Sequence, residues 1–125
     1  MIAEIELEIV EKLKAKMGAV HVEAFPDSPK DYNLMHNNGA VLVAYKGRVV
    51  EEVTDCGLES NELEFVVSFL FRNLRKRDAH QGVYGALEIA QASLKGFAKL
   101  HSEKFTDFNN GVWEYAQLYR VNKIG

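Results

Sequence analysis

The run Asn61-Glu62-Leu63-Glu64-Phe65-Val66-Val67-Ser68-Phe69-Leu70-Phe71-Arg72-Asn73-Leu74-Arg75-Lys76-Arg77 decides how the rest of the chain is read. Leu63, Phe65, Val67, Phe69 and Phe71 place a large apolar side chain at every second position, the period of a strand with one face in a core. Its β-branched and aromatic content is what strands prefer. The intervening face (Glu64, Val66, Ser68, Leu70, Arg72) is polar at its ends and carries Val66 and Leu70 between them. A strand this long and apolar belongs inside a sheet, because an exposed edge of this kind would aggregate. The run ends in a basic cluster of Arg72, Arg75, Lys76 and Arg77, and Asp78 and a helical pattern follow.

Working outward, the flanking segments read as elements that pair with this strand or cover it. Ile2, Ile5, Ile9, Leu13 and Met17, widened by Val10, form one apolar stripe and predict a helix from Ile2 to Met17. Glutamates in its first half and lysines in its second suit the helix dipole, and Gly18 stops it. Glu6 projects onto the stripe, where it is expected to reach water; Leu7 lies off it. Ala19–Phe25 alternates as a strand, with His21 expected to face solvent. Pro26 and Pro29 end that strand. The polar stretch from there to Asn38 holds Tyr32, Leu34, Met35 and His36; loops of this length are often functional or mobile.

Gly39–Tyr45 reads as a strand, and Lys46-Gly47 predicts a hairpin into Arg48–Val53. Downstream of the basic cluster, Asp78 is the expected N-cap of a helix over Ala79–Leu94. Val83, Ala86, Leu87, Ala90, Leu94 and Phe97 make its stripe, and Gly96 ends it. Gly82 and Gly85 weaken this helix locally and permit close backbone approach. Phe105–Phe108, Asn109-Asn110-Gly111 and Val112–Val121 read as a hairpin. The last strand, like the organising one, is partly apolar on both faces. Two helices cover one face of such a sheet, so a hairpin, a loop or a partner is needed for the other.

The totals set bounds. The chain has 125 residues, read as one domain spanning 1–125, long enough to bury one core without staples. A formal net charge of −3 gives no global attraction to nucleic acid or anionic membranes. Cys56 is the single cysteine, so no intrachain disulfide can form. No apolar run approaches a membrane span and the N-terminus is not a signal peptide, which points to the cytosol.

No phosphate-binding glycine loop, His-Glu-x-x-His helix, calcium loop or serine nucleophile elbow occurs. His36 has no assignable nucleophile or carboxylate pair, and Cys56 reads as a structural or surface thiol. Enzyme activity, cofactors and metals are therefore not expected. The basic cluster reads either as a phosphate- or acid-binding surface or as a solvated loop. Its four cations oppose the dipole of the helix they precede. Specific nucleic-acid reading is disfavoured by the acidic total and the lack of interleaved aromatics.

One resemblance sharpens this. Phe25-Pro26-Asp27 with Pro29 and Tyr32, then Gly39-Ala40-Val41-Leu42-Val43 and Tyr45, resemble the front half of a small tail protein of Mu-like phages and prophages. Gly82-Val83-Tyr84, Leu94-Lys95-Gly96-Phe97 and Gly111-Val112-Trp113-Glu114-Tyr115 resemble its second half. That family is similar to tail terminator (tail completion) proteins. The resemblance implies an α+β fold: an antiparallel or mixed sheet of about five to six strands, with two helices on one face. It implies a structural protein whose homo-oligomeric ring, a hexamer, ends the tail tube and joins the tail to the head. The implied partners are other copies, tube and sheath proteins and the head–tail connector, with no membrane and no specific nucleic acid. The implied locations are the host cytoplasm during assembly and then the virion tail. Arg72, Arg75, Lys76, Arg77, Tyr32, Leu34 and Met35 are the candidate subunit or partner contacts. The alternatives are another connector or neck protein, a small nucleic-acid-binding regulatory module, and an enzyme using His36 or Cys56.

Overall fold

The computed structural model describes residues 1–35, 38–52, 59–72 and 77–124, with backbone alone at 51–52, 59–60, 77–81 and 123–124. In chain order these form helix α1 (Ile2–Met17), strand β1 (His21–Ala24), a 3-10 turn at Pro29–Asp31, β2 (Ala40–Glu52), β3 (Glu59–Arg72), helix α2 (Arg77–Leu94), β4 (Lys99–Asn109) and β5 (Val112–Ile124). The strands make one five-stranded sheet in the order β1-β2-β3-β5-β4. β1 runs parallel to β2 and every other pair is antiparallel. The architecture is the expected α+β fold with a mixed sheet, and the organising strand is its centre.

Alternation along β3 builds the core. Leu63, Phe65, Val67, Phe69 and Phe71 face both helices, and each is buried. The stripe of α1 (Ile5, Ile9, Val10, Leu13, Met17) and that of α2 (Val83, Ala86, Leu87, Ala90, Leu94) close over them. Phe65 and Phe69 have no exposed surface; truncating either to alanine removes about 3–5 kcal/mol. Glu6 is half-buried on the rim of this layer, at the start of its helix.

Several boundaries differ from expectation. No hairpin forms at Lys46-Gly47. β2 continues through it, and the register shifts by one between Tyr45 and Gly47. The central strand is long enough to pair with both halves of β2, so the chain keeps its ladder, accepts a bulge and has five strands instead of six. The second helix starts at Arg77, which puts Asp78 inside its first turn instead of at the N-cap. A Cβ at Gly82 or Gly85 would meet open space, so these glycines serve no close approach within the described chain. β4 starts at Lys99, well before Phe105. The Asn-Gly turn is present: Asn110 (φ 52°) and Gly111 (φ 77°) both take the left-handed conformation of a tight two-residue hairpin turn.

The second face of the sheet is covered in part by the chain itself. A parallel pair needs a crossover of a dozen or so residues, and the segment between β1 and β2 supplies it. Leu34 from this segment is buried with Ala40, Leu42 and Leu70, and Phe25, Tyr32 and Val112 pack against them. At the other end of that face Arg120 bridges to Glu64 (3.0 Å) and Glu62 (3.5 Å).

Candidate interaction surfaces

The crossing segment is tied down at two points. The Arg72 guanidinium donates to the Leu34 carbonyl at 2.5 Å. Phe25 and Tyr32 meet edge to face, with ring centroids 5.1 Å apart. The Tyr32 hydroxyl lies 3.5 Å from the Glu23 carboxylate, which also receives the His21 imidazole. Burial first, and the negative Glu23 second, push the Tyr32 phenol above its ordinary value. His21 is thus half-buried and bonded instead of simply facing solvent.

The expected contact residues therefore divide. Arg72 holds the loop, Leu34 is buried beneath it, and Tyr32 is half-buried against Phe25. Met35, 79% exposed, is the residue of this segment that offers apolar surface outward. Arg75, Lys76, His36 and Cys56 lie outside the described residues, as does the side chain of Arg77. Among the described residues no group of three His, Cys, Asp or Glu side chains could hold a metal ion, and no helix is long and apolar enough to cross a membrane.

Two further surfaces escaped sequence reasoning. The first is aromatic, at the turn end of the β4–β5 hairpin. Phe105 sits opposite Tyr115 and Phe108 opposite Trp113, on the helix side of the sheet. Strict alternation would send Phe105 and Phe108 to opposite faces. A register shift between Phe105 and Asp107 brings them to the same one. Phe108 and Trp113 have ring centroids 4.6 Å apart, Phe105 and Tyr115 5.5 Å, and Tyr84 from α2 meets Tyr115 at 6.3 Å. Tyr84, Phe105 and Phe108 remain about half exposed. Burial first, then the Tyr84 hydroxyl, push the Tyr115 phenol above its ordinary value.

The second surface is a groove of about 650 Å³ where the end of α2 meets β4 and β5, lined by Ala92, Lys95, Gly96, Phe97, Lys99 and Leu100 among others. Beside it a buried polar network ties the edge strand to the helix. The Gln117 amide, with no exposed surface, donates to the Leu87 carbonyl (3.0 Å) and to Glu103 (2.7 Å) and accepts from the Tyr119 hydroxyl (2.6 Å).

No curated protein matches the chain. The fold is similar to that of a chain in a solved structure titled "Virion of native gene transfer agent (GTA) particle". That likeness has a TM-score of 0.55 at 15% identity and covers 94% of this chain and 92% of the other. A protein family described as "Gp37 protein" matches residues 9–122, from within the first helix to within the last strand, and the chain belongs to that family.

Proposed function

We propose that this chain is a structural component of a phage-type particle, and that it acts there as a tail terminator. Subunits close into a ring, the ring stops growth of the tail tube, and its outer face meets the head connector. The action is mechanical and involves no catalytic step. The observation that carries the particle role is the likeness of fold to a chain of the gene transfer agent virion, which covers 94% of this chain and 92% of the other. The tail-protein motifs, from Phe25-Pro26-Asp27 to Gly111–Tyr115, support the same reading from the sequence.

Gold-labelled antibody against the chain, applied to purified particles, tests its position. Label at the head-proximal end of the tail is expected. Label confined to the head vertex moves the protein to the connector side of the joint. Particles free of label and free of the protein by mass spectrometry overturn the structural role.

A further inference from the structure

We propose that residues 26–35, in the crossover between β1 and β2, form a strap that lifts off the sheet as a unit while the helix-covered core stays closed. The proposal goes beyond the tail reading and does not depend on it. The sheet separates two apolar layers. On one side Leu63, Phe65, Val67, Phe69 and Phe71 lie against both helices. On the other, Ala40, Leu42 and Leu70 lie with Leu34. Among the described residues the strap contributes nothing to the helix-side layer, so lifting it takes no contact from that core.

A segment opens locally when it makes few contacts with the rest of the chain. Within 26–35 Leu34 alone is buried. The Arg72 guanidinium holds its carbonyl, and the Tyr32 ring rests on Phe25. The remaining ties are long: 3.5 Å from the Tyr32 hydroxyl to Glu23, and 4.0 Å from Lys30 to Asp107 near the surface, where such a pair is worth little. The strap's backbone bonds among the described residues stay within it, from the Asp31 N–H to the Ser28 carbonyl (2.9 Å) and from the Tyr32 N–H to the Pro29 carbonyl (3.2 Å). Two clefts of about 200 Å³ each lie between strap and sheet, one beside Pro29 and Leu42, the other beside Asn33 and Leu70. Protein interiors are otherwise close-packed, so the strap rests on one leucine and not on a filled layer. Its flanks are fixed. The Phe25 N–H donates to the Val43 carbonyl at 2.9 Å, and the His21 N–H to the Gly39 carbonyl at 3.3 Å, so the sheet keeps its ladder while the middle moves. Beneath it, Leu42 and Leu70 are 2% and 3% exposed. They continue into Val66 and Leu118, which pair with each other and are half-buried on the same face. The strap is a cover that the chain carries for its own sheet: closed, it keeps this apolar strip from water, and lifted, it presents it.

Thiol labelling at two adjacent positions of β2 tests the proposal, in the full chain with Cys56→Ser. Leu42 faces the strap, Val43 faces the helices, and both are buried. The Leu42→Cys variant is expected to react with a bulky disulfide reagent at least about tenfold faster than its own urea-unfolding equilibrium allows, at a rate that barely changes in low urea, because a local opening exposes little surface. The Val43→Cys variant is expected to react through global unfolding, with the full urea dependence. Adding Arg72→Ala removes an anchor of the strap and is expected to speed Leu42→Cys labelling about tenfold. If Leu42→Cys does not fold, Leu70→Cys on β3 reports the same face. Strap-side labelling that follows global unfolding overturns the proposal. So does labelling that ignores Arg72→Ala, because the reagent would then enter without the strap moving. Equally weak urea dependence at Val43→Cys also overturns it, because both layers would then open together.

Discussion

Replacing Gln117 by leucine tests the buried network by its non-additivity. The side chain is fully buried, nearly matches leucine in volume, and makes three hydrogen bonds. Glu103, on an exposed stretch of β4, turns to water when its partner goes. The Leu87 carbonyl sits in the middle of α2, where the helix ladder supplies a donor. The cost therefore concentrates on the Tyr119 hydroxyl, which has no exposed surface and donates to the Gln117 oxygen. Leaving a buried polar group unsatisfied costs about 1–3 kcal/mol, so Gln117→Leu loses about 2 kcal/mol. Tyr119→Phe removes the donor and orphans the Gln117 oxygen, for about 1–2 kcal/mol. The double variant carries neither group, so its stability returns to within about 1 kcal/mol of wild type, a coupling of about 2 kcal/mol or more. Urea unfolding at pH 7 with an unchanged m-value measures all three. A double variant as unstable as the sum of the singles would refute the reasoning, because the two side chains would then act independently.

Alkaline pH probes the same hydroxyl. Burial first, and the Glu103 carboxylate second, hold the Tyr119 phenol well above its ordinary 10.0. Unfolded chains release that proton near 10 while the folded chain keeps it, so this stabilisation is complete below pH 10 and is lost as pH rises, by up to about 1.4 kcal/mol per unit; Tyr119→Phe should flatten that slope in a thermal-melt series. Gly39→Ala places a Cβ 2.7 Å from the Phe71 ring and 2.9 Å from the Leu70 carbonyl at a φ of +92°, and should destabilise by about 2–4 kcal/mol in urea. Arg72→Ala deletes the bond to the Leu34 carbonyl, and should lower stability by about 1–2 kcal/mol while raising the rate of proteolytic cleavage within residues 25–35. Reversing the charges of Arg75, Lys76 and Arg77 should leave the monomer folded and weaken assembly; unaltered ring formation and tail joining would remove these residues from the contact surface.

Much of the fold was legible because its signals are local and periodic. The β3 alternation, the stripes of α1 and α2 and the Asn110-Gly111 turn each follow from side-chain spacing alone, and all stand in the structure. Tertiary context decided the rest. The Lys46-Gly47 pair is a good turn, but a long neighbouring strand holds β2 straight through it. β4 carries little alternation, because it is an exposed edge with two register shifts, so its first half had no period to detect. The polar stretch after Pro26 carries no period that names its structural role. It is the crossover that a parallel β1–β2 pair demands, and its buried Leu34 closes part of the face that the doubly apolar strands left open. The interaction surfaces were harder still. Phe105 and Phe108 share a face only because of a register shift, and the groove exists only where α2, β4 and β5 meet.

The central claim is that the chain ends the tail tube, and tail length is its most direct readout. Electron microscopy of particles made with this gene deleted, then restored, measures the length distribution and the fraction of tails joined to heads. The account predicts overlong or headless tails on deletion and normal, joined tails on restoration. Tails of normal length attached to full heads in the deletion would contradict it.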